Sequence, residues 1–113
     1  MPRFTILFHD KPGEPHYDLL LEWGDVLRTW AIASPPESDV TLDAQPLPDH
    51  RMIYLDYEGE VLGGRGTVEQ WDTGQFEIIE ETEKRLVVEL VGRRIELIAT
   101  LDVETSRWSF RER

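Results

Sequence analysis

From His16 to Trp23 the chain alternates in character, with His16, Asp18, Leu20 and Glu22 at one parity and Tyr17, Leu19, Leu21 and Trp23 at the other. Successive side chains of a strand point to opposite faces, so this segment predicts a strand with a polar-edged face and an apolar face. The same period of two runs through Ile95, Leu97, Ala99 and Leu101, interleaved with Glu96 and Thr100, as in a strand buried on one side. Elsewhere, short runs rich in aromatic and β-branched residues recur between Gly, Pro and Asp signals, at the roughly 8–12-residue spacing of barrels and sandwiches. The predicted strands are Arg3–Phe8, His16–Trp23, Val26–Ala33, Gly66–Trp71, Phe76–Glu81, Leu86–Val91 and Arg94–Val103, with Arg107–Phe110 closing the chain. Arg51–Tyr57 reads as a further strand or as a short helical turn. Gly24-Asp25, Asp72-Thr73-Gly74 and Gly92 mark tight turns, where glycine supplies the backbone freedom a hairpin connection needs. Pro35, Pro36, Pro46 and Pro48 fall within Ala33–Asp49, and since proline cannot donate to a sheet ladder this stretch predicts one long loop. The expected fold is all-β, a compact β-barrel of about eight mostly antiparallel strands with one long Pro-rich loop and little helix.

Composition narrows this picture. The 113 residues suffice for one core, so residues 1–113 are expected to form a single domain. A hydrophobic share of 40% with four tryptophans separates the chain from acidic disordered sequences. There is no cysteine, which removes disulfides and thiolate metal sites and points to a reducing compartment. No apolar run approaches the roughly 18 residues of a membrane span, and the opening stretch is too short for a signal peptide. The expected setting is the cytoplasm, with no membrane partner. A net charge of −11 repels phosphate backbones unless cations gather on one face; Lys84, Arg85, Arg93, Arg94, Arg107, Arg111 and Arg113 supply such cations in the last third, although scattered, solvated charge is the simpler reading.

The histidines carry the candidate chemistry. His9 and His16 bracket the turn Lys11-Pro12-Gly13-Glu14-Pro15, which folds the first strand back on the second. His16 and Asp18 then share a face, with His9 arriving from the neighbouring strand. Two imidazoles and a carboxylate leave coordination positions open, a donor set suited to Mn, Zn, Co or Fe(II). Two ordinary readings stand beside it: polar residues on a wet strand face, and the ligand set of an Fe(II) oxygenase. Asp10 is placed to orient a ligand histidine. Trp23, Trp30, Trp71 and Trp108 lie in strands, where core packing is the natural role and base stacking the alternative.

The ordered motifs His9-Asp10, His16-Tyr17-Asp18-Leu19-Leu20-Leu21-Glu22 and Val26-Leu27-Arg28-Thr29-Trp30-Ala31-Ile32 resemble the opening of the 3′-phosphoesterase domain of bacterial DNA ligase D. The likeness continues through Asp49-His50, Tyr54, Asp56-Tyr57-Glu58-Gly59, Gly66-Thr67-Val68, Trp71-Asp72, Gly74 and Glu77, and is loose thereafter. It implies a β-barrel in which His9, His16 and Asp18 bind a manganese-type ion, with Zn or Co as alternatives, while His50 and Tyr54 contact phosphate. It further implies trimming of 3′-terminal ribonucleotides and phosphates during end joining. One departure stands out: where the family typically has an arginine gripping the scissile phosphate, this chain has Leu20. Ser34 and Leu42 likewise occupy or adjoin positions where the family commonly has Lys and Arg. Arg51 and Arg65 are the cations that could compensate.

The functional expectation is a divergent, monomeric, metal-dependent 3′-phosphoesterase-like protein of end-joining DNA repair. Its expected partners are nucleic-acid 3′ ends or a smaller phosphate ester, with a separate ligase or end-joining protein alongside. The alternative is a non-catalytic, metal-holding β-barrel that binds nucleic-acid ends or a repair protein.

Overall fold

Nine strands and one 3-10 turn make up the computed structural model, which describes all 113 residues: β1 (Arg3–Asp10), β2 (His16–Trp23), β3 (Val26–Ile32), β4 (Val40–Arg51), the turn Met52–Leu55, β5 (Gly59–Glu60), β6 (Thr67–Glu81), β7 (Arg85–Gly92), β8 (Glu96–Asp102) and β9 (Arg107–Glu112). They form one antiparallel sheet in the order β1-β2-β3-β4-β9-β8-β7-β6-β5. Pairing of β1 with β6 closes eight of the strands into a ring. The all-β barrel expected from the alternation is therefore the fold observed. No helix is long and apolar enough to cross a membrane.

Two apolar clusters use opposite faces of the same strands. Phe4, Ile6, Leu19, Leu21, Trp30, Phe76, Trp108 and their neighbours fill the barrel interior, where Trp30 and Trp108 meet edge-to-face at 5.3 Å between ring centroids. Leu7, Leu20 and Leu27 point the other way and are covered from outside by Leu55 and Val68. Burial on both faces accounts for the unbroken run Leu19-Leu20-Leu21, all fully buried. Around the outer cluster, the Leu55 carbonyl accepts from Thr5 Oγ1 at 3.0 Å and Gln70 Nε2 at 3.2 Å. Arg3 grips Asp56 with two hydrogen bonds of 2.7 and 3.1 Å. The two partly buried tryptophans, Trp23 and Trp71, also pack against the interior cluster, so all four tryptophans serve the core.

Three expectations are corrected. Residues 40–49 of the presumed loop belong to β4 despite Pro46 and Pro48. The Ala44 amide donates to Ser106 O on the β9 side, and β4 pairs with β9 only over Val40–Asp43. Beyond that point Pro46, of the same parity, turns its nitrogen toward a side where no strand lies, so its missing N–H costs no ladder bond. Pro48 sits at a register shift against β3, where Leu27 pairs with His50 but Thr29 pairs with Leu47. Secondly, Arg51–Tyr57 resolves to the end of β4 and the 3-10 turn rather than a separate strand. Thirdly, Asp72-Thr73-Gly74 is not a hairpin but lies inside the 15-residue β6.

The physical reason for the last correction is crowding. A Cβ on Gly74 would lie 2.0 Å from Val91 O, so glycine there permits close strand approach instead of a turn. Asp72 is buried and accepts the amides of Thr73 at 2.8 Å, Arg93 at 2.8 Å, Arg94 at 3.2 Å and Ile95 at 3.1 Å. It clasps the β7–β8 connection from a neighbouring strand.

Candidate functional site

The β1–β2 hairpin sets His9 directly opposite His16 and Leu7 opposite Asp18. Because parity places His16 and Asp18 on one face, the ligand atoms of His9, His16 and Asp18 all lie within 4.8 Å of one another. His16 Nε2 is 2.9 Å from Asp18 Oδ1, and His9 Nδ1 is 3.5 Å from Asp18 Oδ2. Asp18 is only 3% exposed. Burial pushes its carboxyl above the usual range, against the pull of His16, His9 and His50.

Each imidazole is oriented by a backbone carbonyl. His16 Nδ1 lies 3.0 Å from Glu14 O, and His9 Nε2 lies 2.7 Å from Arg65 O. A carbonyl can only accept, so these ring nitrogens carry the protons. In the neutral rings, the nitrogens left bare are the ones that face Asp18. With both rings neutral, two imidazole lone pairs and the Asp18 carboxyl converge, and buried Asp18 Oδ1, 2.9 Å from His16 Nε2, has no other hydrogen-bond partner. Such a set of donors fits a divalent cation of the kind imidazole and carboxylate ligate.

His50 and Tyr54 border the same groove, of about 1090 Å³. The β4 register shift brings His50 opposite Leu27, hence onto the outer face that carries the triad. His50 Nδ1 donates to Pro48 O at 2.9 Å, leaving Nε2 without a protein partner. Its ring meets Tyr54 edge-to-face at 5.6 Å, and Tyr54 meets Tyr57 in the same way at 5.6 Å. All five sequence-predicted site residues thus line one groove.

Other expectations meet a different outcome. Leu20 follows Asp18 on the same face but is fully buried in the cluster with Leu55, and offers the groove no charge. Arg51 and Arg65 both border the groove. Asp10 is exposed and its side chain bonds neither histidine; the orienting groups are main-chain carbonyls instead. The Arg65 carbonyl was not anticipated, and the only sequence signal near it is the glycine cluster Gly63-Gly64-Arg65-Gly66.

Comparison with known proteins adds a family. The profile of the DNA ligase D 3′-phosphoesterase domain matches residues 8–102. The multifunctional non-homologous end joining protein LigD of Pseudomonas aeruginosa is 30% identical over 89 residues, covering 74% of this chain and 10% of that protein. The multifunctional non-homologous end joining DNA repair protein LigD of Mycobacterium tuberculosis H37Rv is 32% identical over 108 residues, covering 83% of this chain and 14% of that protein. The chain therefore spans between a tenth and a seventh of the length of these relatives.

Proposed function

Because the chain belongs to the DNA ligase D 3′-phosphoesterase domain family, we propose that it is a divergent metal-dependent phosphoesterase that acts on phosphate-bearing nucleic-acid 3′ ends, or on a smaller phosphate ester, in end-joining repair. The observation that carries this reading is the convergence of His9, His16 and Asp18 with their unprotonated atoms turned inward. His9 Nδ1, His16 Nε2 and the Asp18 carboxylate would hold the ion, manganese in the first instance. Such an ion supplies positive charge to a phosphoryl oxygen and makes a water acidic enough to attack near neutral pH.

The remaining steps fall to the chain's own groups. Tyr54 can donate its phenolic O–H to a phosphate oxygen, and His50 can donate from Nε2 once protonated, or accept there when neutral. The His50 N–H to Pro48 O fixes which nitrogen faces the groove. Leu20 contributes no guanidinium, so a bound phosphate loses the two-pronged grip that an arginine would provide. That loss favours substrates that need less charge neutralisation than a full DNA end.

A second reading has a specific observation behind it. An apolar Leu20 on the metal face, with no guanidinium there to grip a reacting phosphate, also suits a metal-holding barrel that binds nucleic-acid ends or a repair protein without cutting. The test is calorimetric titration of the metal-free protein with manganese, with His16→Ala as control, followed by turnover of a 3′-phosphorylated oligonucleotide. One-to-one binding lost in His16→Ala together with turnover supports the phosphoesterase. Binding without turnover selects the second reading, and no binding sinks both.

A further inference from the structure

His9 is the one histidine of the groove whose orientation depends on a remote segment. His16 and His50 each donate to a carbonyl two residues earlier in the chain, Glu14 and Pro48. His9 donates to Arg65, 56 positions away. The residues around Arg65 form a tight connection between β5 and β6: Val61 N donates to Gly66 O at 2.8 Å, and Arg65 Nε donates to Leu62 O at 2.7 Å. Gly63, Gly64 and Gly66 hold φ angles of +81°, +67° and +88°, a region that glycine occupies without strain.

The turn is also seated flush on the end of β1. A Cβ on Gly66 would lie 2.0 Å from Asp10 O and 3.0 Å from Lys11 Cα, both main-chain atoms next to His9. Any side chain at 66 would lift the turn off β1 and carry the Arg65 carbonyl with it. With that acceptor gone, the His9 ring would be free to turn or to move its proton to Nδ1. An Nδ1–H would take away the lone pair that now faces Asp18.

We propose that the 61–66 turn is a positioning element for the metal site, in which Gly66 brings the Arg65 main-chain carbonyl against His9 and so keeps His9 Nδ1 bare and aimed at Asp18. The acceptor for His9 is the Arg65 main chain, while the Arg65 side chain ties the turn to itself through Leu62 O. The proposal rests on the metal-binding reading above only for its functional consequence; the state of the His9 ring is a property of the metal-free chain.

Long-range proton–nitrogen NMR of the metal-free wild-type protein, at a pH where imidazoles are neutral, is expected to show His9 protonated on Nε2. Finding the proton on Nδ1 would overturn the proposal, and this arm needs no variant to fold. In Gly66→Ala, with folding checked by its amide spectrum, His9 should become a mixture of tautomers and manganese affinity should fall about 10- to 100-fold, the usual effect of losing a group that orients a metal ligand. Leu62→Ala, which trims an exposed side chain of the same turn and keeps its backbone, should bind manganese as the wild type does. An unchanged affinity in a folded Gly66→Ala, or a loss in Leu62→Ala equal to it, would also overturn the proposal. If the wild type itself binds no manganese, the metal reading fails, and the tautomer measurement still decides whether the turn positions His9.

Discussion

Asp18 and Leu20 sit two residues apart on one face of β2, yet the first aims a buried carboxylate at two imidazoles while the second is buried in the cluster with Leu55. The boundary between chemistry and packing on this face is one residue wide. Placing an arginine at 20 would have to displace the outer cluster or send its guanidinium out past Leu55 and Tyr54. Leu20→Arg is therefore expected to lower stability by at least about 2 kcal/mol, from lost apolar burial and an imperfectly solvated charge. Urea denaturation measures it. If the same variant hydrolyses a 3′-phosphorylated oligonucleotide that the wild type leaves intact, the missing cation is what limits the natural protein.

Tyr54→Phe removes one O–H from the groove while leaving the ring in its edge-to-face contacts with His50 and Tyr57. If that hydroxyl meets a charged phosphate oxygen, its loss weakens the interaction by about 1.5–3 kcal/mol. The expected readout is a reduced kcat/KM for a phosphate ester with no change in manganese affinity. An unchanged kcat/KM would return Tyr54 to a purely packing role.

Asp72 carries the heaviest hydrogen-bond load of any buried side chain, accepting amides from Thr73, Arg93, Arg94 and Ile95. Removing it in Asp72→Ala leaves several backbone donors without a partner. The expected loss is about 3 kcal/mol or more, since hydrogen bonds to a charged acceptor are each worth about 1.5–3 kcal/mol and do not simply add. Gly92→Ala should produce a related defect, because a Cβ there would lie 2.3 Å from Asp72 Oδ2. Denaturant unfolding of both variants tests this.

The Arg3–Asp56 pair links the start of β1 to the end of the 3-10 turn. Hydrogen bonding from Arg3 holds the Asp56 carboxyl below its ordinary value. A carboxylate depressed in the folded state stabilises above its unfolded pKa and loses that contribution as pH falls through the folded one. Acidification below pH 3.8 should therefore weaken this link to the turn. The Asp56 side chain is 70% exposed, which holds the effect to a few tenths of a kcal/mol after solvent screening. Arg3→Gln should flatten the acid limb of a stability-against-pH profile by that amount, and an unaltered limb would show the pair to be idle.

Alternation and the flanking turn both pointed to β2, whose parity sets His16 and Asp18 on one face while the turn brings His9 from β1; the reading of the three as metal ligands came from the family resemblance. β4 was hidden for a physical reason: the rule that proline breaks a ladder holds only where a neighbour needs the N–H, and nothing in the local sequence says that β4 outruns β9. Asp72-Thr73-Gly74 misled in the same way, since the glycine that permits a hairpin also permits two backbones to touch. The Arg65 carbonyl was beyond reach because a main-chain acceptor has no residue-type signature. Its partner lies far off in the chain and is brought near only by the closed β1–β6 ring.

Pro46 and the open flank of β4 have one more consequence. A strand that leaves its neighbour part-way presents a raw margin to which another molecule could add by hydrogen bonding, and such margins seed aggregates. Along this one, Pro46, the next position beyond Ala44 to face that margin, offers only a carbonyl, and the register shift at Pro48 breaks the regular spacing that an incoming strand would need. The groove can therefore stand open beside β4 while that strand's margin remains a poor template for a second copy of the protein.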